Sequence, residues 1–128
     1  MPHQRQLSDD QICALLERDA VIGAALDGWM ILPGWVQNKT TAVERGLRLE
    51  HLVEHIDYIC QMAGNARHTG LGSDLDGGFG GDQTPCDLDT IGDMGRLCDL
   101  LCARGWSAED LANFAQGNFL RILRRALT

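Results

Sequence analysis

The sequence predicts an α/β fold built from parallel strand-helix-strand units. Two short apolar runs, at residues 20–25 and 69–72, are typical of strands that are covered on both faces. Between and after them, apolar residues recur every three or four positions, as they do in amphipathic helices. Strands that alternate with helices pair in parallel. The predicted order is therefore helix, strand, loop, helix, strand, loop and three helices.

The first two helices carry clear start and stop signals. Ser8 and Gln11 form a capping box, and the helix that follows is predicted to run to about Arg18. The second helix ends at Gly64, a residue type that is favoured at helix C-termini. Its apolar stripe consists of Leu49, Leu52, Val53, Ile56, Cys60 and Ala63. Between the first strand and this helix, residues 27–45 are predicted to form an irregular loop, and a loop of that length is uncommon unless it is functional.

Three further helices are predicted after the second strand and its loop. Thr90 caps the first of them, which continues to Gly105. Ser107 caps the next one, which is predicted to end near Gly117. The last helix spans residues 118–127 and places its arginines towards its C-terminus, where they favour the helix dipole.

Length and charge exclude several classes of protein. The chain has 128 residues, a length that allows one domain at most. Its formal net charge is −7. An acidic chain argues against nucleic acid and anionic membranes as partners, because both need basic patches. No apolar run approaches the ~20 residues of a membrane span. The first six residues lack an apolar signal-peptide stretch, so the sequence predicts a cytoplasmic protein.

The five cysteines are predicted to be buried, reduced thiols. Their number is odd and they form no Cys-x-x-Cys pair, so neither a disulfide framework nor a zinc cage is favoured. Cys98 and Cys102 lie one helical turn apart, but nothing nearby completes a metal site.

Residues 70–82 form an acidic, glycine-rich loop that is the strongest candidate site. The second strand runs directly into Asp74 and Asp76. Carboxylates at the C-terminal end of a parallel strand lie where α/β proteins place their active sites, and glycines let the backbone approach a ligand closely. A dinucleotide fingerprint is not favoured because Leu75 stands where its third glycine is required. A calcium loop is not favoured either, since its third ligand position is glycine and its closing glutamate is missing.

Other candidate residues lie on the remaining loops. Arg5, just ahead of the first helix, lies on the same rim as Asp74 if the strands are parallel. Trp29 and Trp35 fit a core and the lining of a pocket equally well. His68, directly before the second strand, fits a structural role better than that of a ligand.

A His-x-x-Glu-His motif on the second helix is also compatible with a different function. His51 and His55 are four residues apart, so both imidazoles lie on one helical face and could share a zinc ion, as in inverted zinc proteases. The alternative is that they border the apolar stripe of the helix. No further ligand is indicated, so the protease interpretation remains the less favoured one.

Several stretches together closely resemble the C-terminal part of the membrane (renal) dipeptidase family of zinc metallopeptidases. They occur in the family's order and cover nearly the whole chain, at residues 5–10, 20–23, 55–59, 63–64, 70–77 and 117–121. The most specific is Gly-Leu-Gly-Ser-Asp-Leu-Asp-Gly at residues 70–77. The resemblance implies a (β/α)₈ barrel whose last two strands are the strands predicted here. It implies a zinc-dependent dipeptidase with two zinc ions, often accepting a D-residue in the second position.

The resemblance also implies roles for two residues. Asp74 matches an aspartate at the end of the eighth strand, which contacts substrate and takes part in proton transfer. Arg5 matches an arginine that engages the substrate, and a guanidinium fork suits a carboxylate. Asp76 is expected to shape the loop and not to form an acid/base pair with Asp74.

The family's metal ligands do not fall on this sequence. They are a His-x-Asp pair, a bridging glutamate and two histidines, and all of them precede the matched region. None corresponds to His3, His51, His55 or His68, so no metal ligand is predicted in this chain. A barrel of this type also typically needs about 250 residues.

The leading expectation is therefore that residues 1–128 are a single partial domain of a metallo-dependent hydrolase, inactive on its own. An aspartate and an arginine cannot replace metal ions that polarise a carbonyl and generate hydroxide. The alternative is a non-catalytic remnant or an assembly module that needs a separate N-terminal half. The expected partners are a dipeptide substrate and either such a half-barrel or a second copy of the chain.

Overall fold

The computed structural model describes residues 5–75 and 77–128. Its sheet has two parallel strands, β1 (Ile22–Ala24) and β2 (Thr69–Leu71). Ile22 lies opposite Thr69, and Ala24 lies opposite Leu71. The predicted parallel strand-helix-strand unit is therefore confirmed, although each strand has three residues and is shorter than its apolar run.

Helical segments surround this sheet in the described part of the chain. They are α1 (Asp9–Glu17), α2 (Gly28–Ile31), α3 (Ala42–Arg45), α4 (Leu49–Ala63), a 3₁₀ turn (Ile91–Met94), α5 (Gly95–Ala103), α6 (Ala108–Ala112), a π-helical turn (Asn113–Gly117) and α7 (Asn118–Leu127). None of the described helices is long and apolar enough to cross a membrane.

The capping signals read from the sequence are confirmed. The Ser8 hydroxyl accepts from the Gln11 N–H at 3.3 Å, and the Gln11 side chain accepts from the Ser8 N–H at 2.8 Å. Helix α4 ends at Gly64, whose φ of +75° is the left-handed conformation that glycine adopts at little cost. Local hydrogen bonding therefore fixes where α1 begins and where α4 ends.

The segment 27–45 differs from the prediction of an irregular loop. It contains two one-turn helices, α2 and α3. Asp27 and Thr41 cap them by accepting the backbone N–H groups of Trp29 and Glu44, at 3.2 and 3.2 Å. Helices of one turn are too short to show an apolar period, so these caps were their only signal in the sequence.

The predicted break near Gly117 is wrong. Gly117 has helical φ and ψ of −60° and −40°, and the π-helical turn joins α6 to α7 without interruption. The turn keeps Phe114 and Asn118 buried together. The Asn118 side-chain amide donates to the carbonyl oxygens of Ala66 and Thr69, both at 2.8 Å, and so binds this helix to the start of β2.

The two faces of the sheet pack against different helices. On one face, the Thr69 hydroxyl lies 3.7 Å from the Cys60 sulfur of α4. Alternate residues of a strand point to opposite faces, and Gly70 lies against the ring of Phe119 on α7. An ideal Cβ on Gly70 would lie 2.3 Å from Phe119 Cε2, so this contact requires glycine.

Three arginines surround the carboxylate of Asp19 at the N-terminal ends of the strands. Asp19, three residues before β1, accepts hydrogen bonds from Arg67 at 2.8 Å and from Arg125 at 2.9 Å. Arg121 Nη2 lies 3.5 Å from the same carboxylate. The Arg67 hydrogen bond and the three positive charges outweigh desolvation and hold the pKa of the Asp19 carboxyl far below its usual range. This cluster ties α7 to the loops that enter both strands.

The prediction of buried cysteines is largely wrong. Cys13, Cys86 and Cys102 are exposed, and Cys60 and Cys98 are partly buried. All five are free thiols. An apolar stripe shows which face of a helix turns inward, but it does not show how deeply the edge of that stripe is covered.

Candidate active site

Two aspartates leave the sheet side by side at the C-terminal ends of its strands. The Leu26 N–H donates to the Ser73 carbonyl oxygen at 3.0 Å. Asp27 directly follows the first of these residues and Asp74 directly follows the second. The two segments that follow β1 and β2 therefore stay hydrogen-bonded beyond the regular strands, up to the residue that precedes each aspartate.

Asp74 is exposed and has an unusual backbone conformation. Its φ is +59°, in the left-handed region that aspartate tolerates better than most residues. Its carbonyl oxygen accepts from the Gly77 N–H at 2.9 Å. An ideal Cβ on Gly77 would lie 2.5 Å from Asp74 Oδ1, so glycine at this position leaves room for the carboxylate. Residue 76, expected to shape the same loop, lies outside the described residues.

Asp27 is a buried carboxyl that faces the same rim. It is 6% exposed, and Oδ1 accepts the Trp29 N–H at 3.2 Å. Burial raises the pKa of Asp27, the Trp29 hydrogen bond opposes that shift, and the Asp74 charge adds to it. The Arg5 charge lowers the same pKa. Arg5 and Asp74 are therefore each close enough to Asp27 to affect its ionisation electrostatically.

Arg5 lies against helix α2. Its guanidinium carbon is 5.6 Å from the centroid of the Trp29 ring, within the range of a cation–π contact. The neighbouring Gln6 side-chain amide donates to the Met30 carbonyl oxygen on the same helix. Two consecutive residues ahead of α1 therefore contact the one-turn helix that Asp27 caps.

Two cavities adjoin this rim. One of about 410 Å³ is lined by Arg5, Met30 and His55 together with the residues of β1. The other, of about 440 Å³, is lined by Ser73 and Leu75 on either side of Asp74 and by apolar residues that include Ile91. Arg5 therefore lines the first cavity, whereas Asp74 is not among the residues that line either cavity.

The described residues do not supply a metal site. No three His, Cys, Asp or Glu side chains come together there as a metal-ligand group. Nδ1 of His51 accepts the backbone N–H of Arg48 at 3.1 Å, and Nε2 of His55 lies 2.8 Å from the Ile31 carbonyl oxygen. The two histidines of the His-x-x-Glu-His motif are thus directed to separate backbone groups.

Of the two remaining histidines, the structure describes one. His68 is buried, and its Nδ1 lies 2.9 Å from the Ala20 carbonyl oxygen, in keeping with the expected structural role. His3 lies outside the described residues.

The structure separates the roles of the two tryptophans on the segment 27–45. Trp35 belongs to the core and packs against Gly28, where an ideal Cβ would lie 2.5 Å from its ring. Trp29 is partly buried and faces Arg5. Asp27 is the residue that the sequence reasoning missed. Its signal was present, because it follows an apolar strand directly, as Asp74 does.

Comparison with known proteins identifies the family to which this chain belongs. The family model described as membrane dipeptidase (Peptidase family M19) matches residues 1–128. The chain belongs to the membrane dipeptidase family. Within the family it is similar to Dipeptidase aclJ of Aspergillus oryzae, with 31% identity over 122 residues. It is also similar to an uncharacterized dipeptidase of Schizosaccharomyces pombe, with 32% identity over 120 residues.

These relatives are much longer than the chain. The matches cover 95% and 94% of this chain but 26% of each relative. The chain therefore spans about a quarter of the length of the curated relatives it matches. A crystal structure of dipeptidase AC, an M19 metallopeptidase, shares the fold with a TM-score of 0.75 at 20% identity, covering 94% of this chain and 32% of that one.

Proposed function

We propose that this chain is the C-terminal part of a zinc-dependent dipeptidase. In this proposal β1 and β2 are the last two strands of a (β/α)₈ barrel, and residues 1–128 are one partial domain of it. Membership of the membrane dipeptidase family supports the reaction class, and the share of its relatives that the chain spans supports its being a part. The predicted cytoplasmic location stays a prediction.

The observation that carries the proposal is the rim formed by Arg5, Asp27 and Asp74. A cation and two carboxylates follow or flank the C-terminal ends of two paired parallel strands. Barrel enzymes place their chemistry at this end of the strands, whereas residues at the opposite end serve stability. The Asp19 cluster before β1 and β2 fits that second role.

The proposed chemistry divides between Arg5 and Asp74. Arg5 binds the terminal carboxylate of the dipeptide, for which the fixed fork of a guanidinium is suited. Asp74 accepts the proton of the attacking water and transfers it to the nitrogen of the leaving amine. The C–N bond breaks, the acyl carbon gains the hydroxyl, and Asp74 returns to its ionised form.

The proposed reaction needs zinc, and other parts of the active site would have to bind it. The described residues contain no ligand set for a metal, so the ligands would lie outside them. Bound by such ligands, zinc would polarise the peptide carbonyl and lower the pKa of the attacking water.

The experiment compares two aspartates of the same loop in a zinc-loaded protein that joins this chain to a family segment with metal ligands. Asp74→Asn keeps the shape and tolerates the left-handed backbone, but it removes the proton acceptor. We expect kcat for dipeptide hydrolysis to fall about 10²–10⁴-fold with unchanged zinc content. Asp82→Asn, an exposed aspartate further along the loop, serves as the matched control. Unchanged turnover of Asp74→Asn contradicts the assigned role.

An assembly module without catalysis is the second candidate, favoured by uncovered apolar surface. On α7, Leu123 is 52% exposed and Leu127 is 78% exposed. In the described residues the sheet has two strands, so each strand has an edge without a β partner. Binding of a family N-terminal segment without any dipeptide hydrolysis would favour this candidate over the enzyme.

A further inference from the structure

The side chain of Trp29 lies directly under the charge of Arg5. The guanidinium carbon is 5.6 Å from the ring centroid, and tryptophan gives the strongest cation–π contacts of the aromatic residues. An arginine side chain samples many rotamers when nothing restrains it, and ordering it on binding weakens affinity. A ring that contacts the guanidinium before the substrate arrives reduces that cost.

The backbone of Trp29 is itself fixed by its neighbours. Asp27 accepts its N–H at 3.2 Å, and the preceding Gly28 N–H donates to the Gln83 carbonyl oxygen at 2.8 Å. The ring of Trp35 fills the space beside Gly28, so α2 packs directly onto the core. Helix α2 therefore presents the Trp29 ring from a rigid base.

Gln6 restrains the same segment independently. Its amide donates to the Met30 carbonyl oxygen, one residue beyond Trp29. The backbone next to Arg5 is thus held against α2 at one point, and the Arg5 charge is held against α2 at another. Asp27, the N-cap of the same helix, adds an electrostatic attraction for the guanidinium when it is ionised.

We propose that Trp29 is a positioning residue that presents the Arg5 guanidinium to the terminal carboxylate of a dipeptide. The carboxylate assignment rests on the proposed function of Arg5, whereas the positioning rests on the contacts of α2. Trp29 acts through Arg5 and does not touch the reacting atoms. Its loss should therefore weaken binding of ligands with a free carboxylate and leave ligands without one unaffected.

The test follows Arg5 by NMR in the full 128-residue chain. The ring current of Trp29 should shift the Arg5 side-chain signals upfield, and Trp29→Leu should abolish that shift while Trp29→Phe retains part of it. Arg45, which is held by the Pro33 carbonyl oxygen at 3.0 Å, is the internal control and should not change. Arg5 signals without an upfield shift in the unmodified chain would overturn the positioning role.

Titration with glycyl-D-alanine and with its C-terminal amide tests the ligand. We expect the dipeptide to shift the Arg5 signals saturably, the amide to leave them unchanged, and Trp29→Leu to weaken dipeptide binding about tenfold. No response to the dipeptide, or equal affinity in Trp29→Leu, overturns the proposal. If the dipeptide binds as expected but the zinc-loaded protein does not hydrolyse dipeptides, the proposed function is wrong. The positioning role of Trp29 would still hold in that case.

Discussion

The Leu26 N–H and the Ser73 carbonyl oxygen, 3.0 Å apart, bring the two strand ends of this protein together. Each residue is followed by an aspartate, so Asp27 and Asp74 leave the sheet at the same edge. One is buried and caps a helix, and the other is exposed on a glycine-rich loop. Two carboxyls in such different environments have different chemical uses.

Asp27→Asn should stabilise the protein at neutral pH. Asparagine keeps the N-cap hydrogen bond to Trp29 and removes a buried charge. Because burial raises the folded pKa of Asp27 above its ordinary value of 3.8, its ionisation penalises the folded state as pH rises through that pKa. We expect a melting temperature about 3 °C higher at pH 7 and no difference below about pH 3. Asp99→Asn, at an exposed position of α5, is the control and should leave the melting temperature unchanged at both pH values. A lower melting temperature at pH 7 for Asp27→Asn would contradict this explanation.

Gly77→Ala should disturb Asp74 specifically. The new Cβ would lie 2.5 Å from Asp74 Oδ1 and 2.9 Å from its backbone oxygen, so both the side chain and the turn must move. Overpacking of this kind costs about 1–3 kcal/mol, measured as the free energy of unfolding. Gly81→Ala places its Cβ where nothing lies within 4 Å, and it is the matched control. Equal effects of the two changes would show that Gly77 has no special relationship to Asp74.

The elements that the sequence predicted well are those specified by neighbouring residues. The Ser8 capping box and the Gly64 cap are local, and the apolar stripe of α4 has a clear period over fifteen residues. The parallel pairing of β1 and β2 followed from the alternation of strands with helices. The carboxylate at the end of β2 followed from the same rule.

The features that the sequence did not predict depend on contacts between distant residues. The helix continues through Gly117 because Asn118 reaches the carbonyl oxygens of Ala66 and Thr69, about fifty positions earlier. The sequence shows that Asp27 follows an apolar run, but its position beside the end of β2 depends on the hydrogen bond between Leu26 and Ser73. The contact of Arg5 with Trp29 joins residues that no local pattern connects.

Asp19→Asn should destabilise the protein in a pH-dependent way. The Arg67 hydrogen bond lowers the folded pKa of Asp19 below its ordinary value of 3.8, so its stabilising contribution is present above that pH and is lost as pH falls. A carboxylate shared by several arginines is worth about 1–3 kcal/mol at pH 7. Chemical denaturation at pH 7 and pH 3 measures the difference. An effect of the same size at both pH values would contradict the assigned charge interaction.

Gly70→Ala should be costly only while Phe119 is present. The added Cβ would lie 2.3 Å from the ring, and we expect a loss of about 1–3 kcal/mol in the free energy of unfolding. In a Phe119→Ala background the same change should cost much less, because the clash is gone. Gly95→Ala, which meets nothing within 4 Å, should be neutral or stabilising. Additive effects of Gly70→Ala and Phe119→Ala would show that α7 does not pack on this face of the sheet.

The most direct test of the central claim is steady-state hydrolysis of a dipeptide with added zinc. The purified chain is measured alone and then combined with a family segment that carries the metal ligands. We predict no turnover by the chain alone, turnover by the combination, and loss of that turnover in Asp74→Asn. Turnover by the chain alone would contradict the claim that this rim is one part of an active site whose metal is held elsewhere.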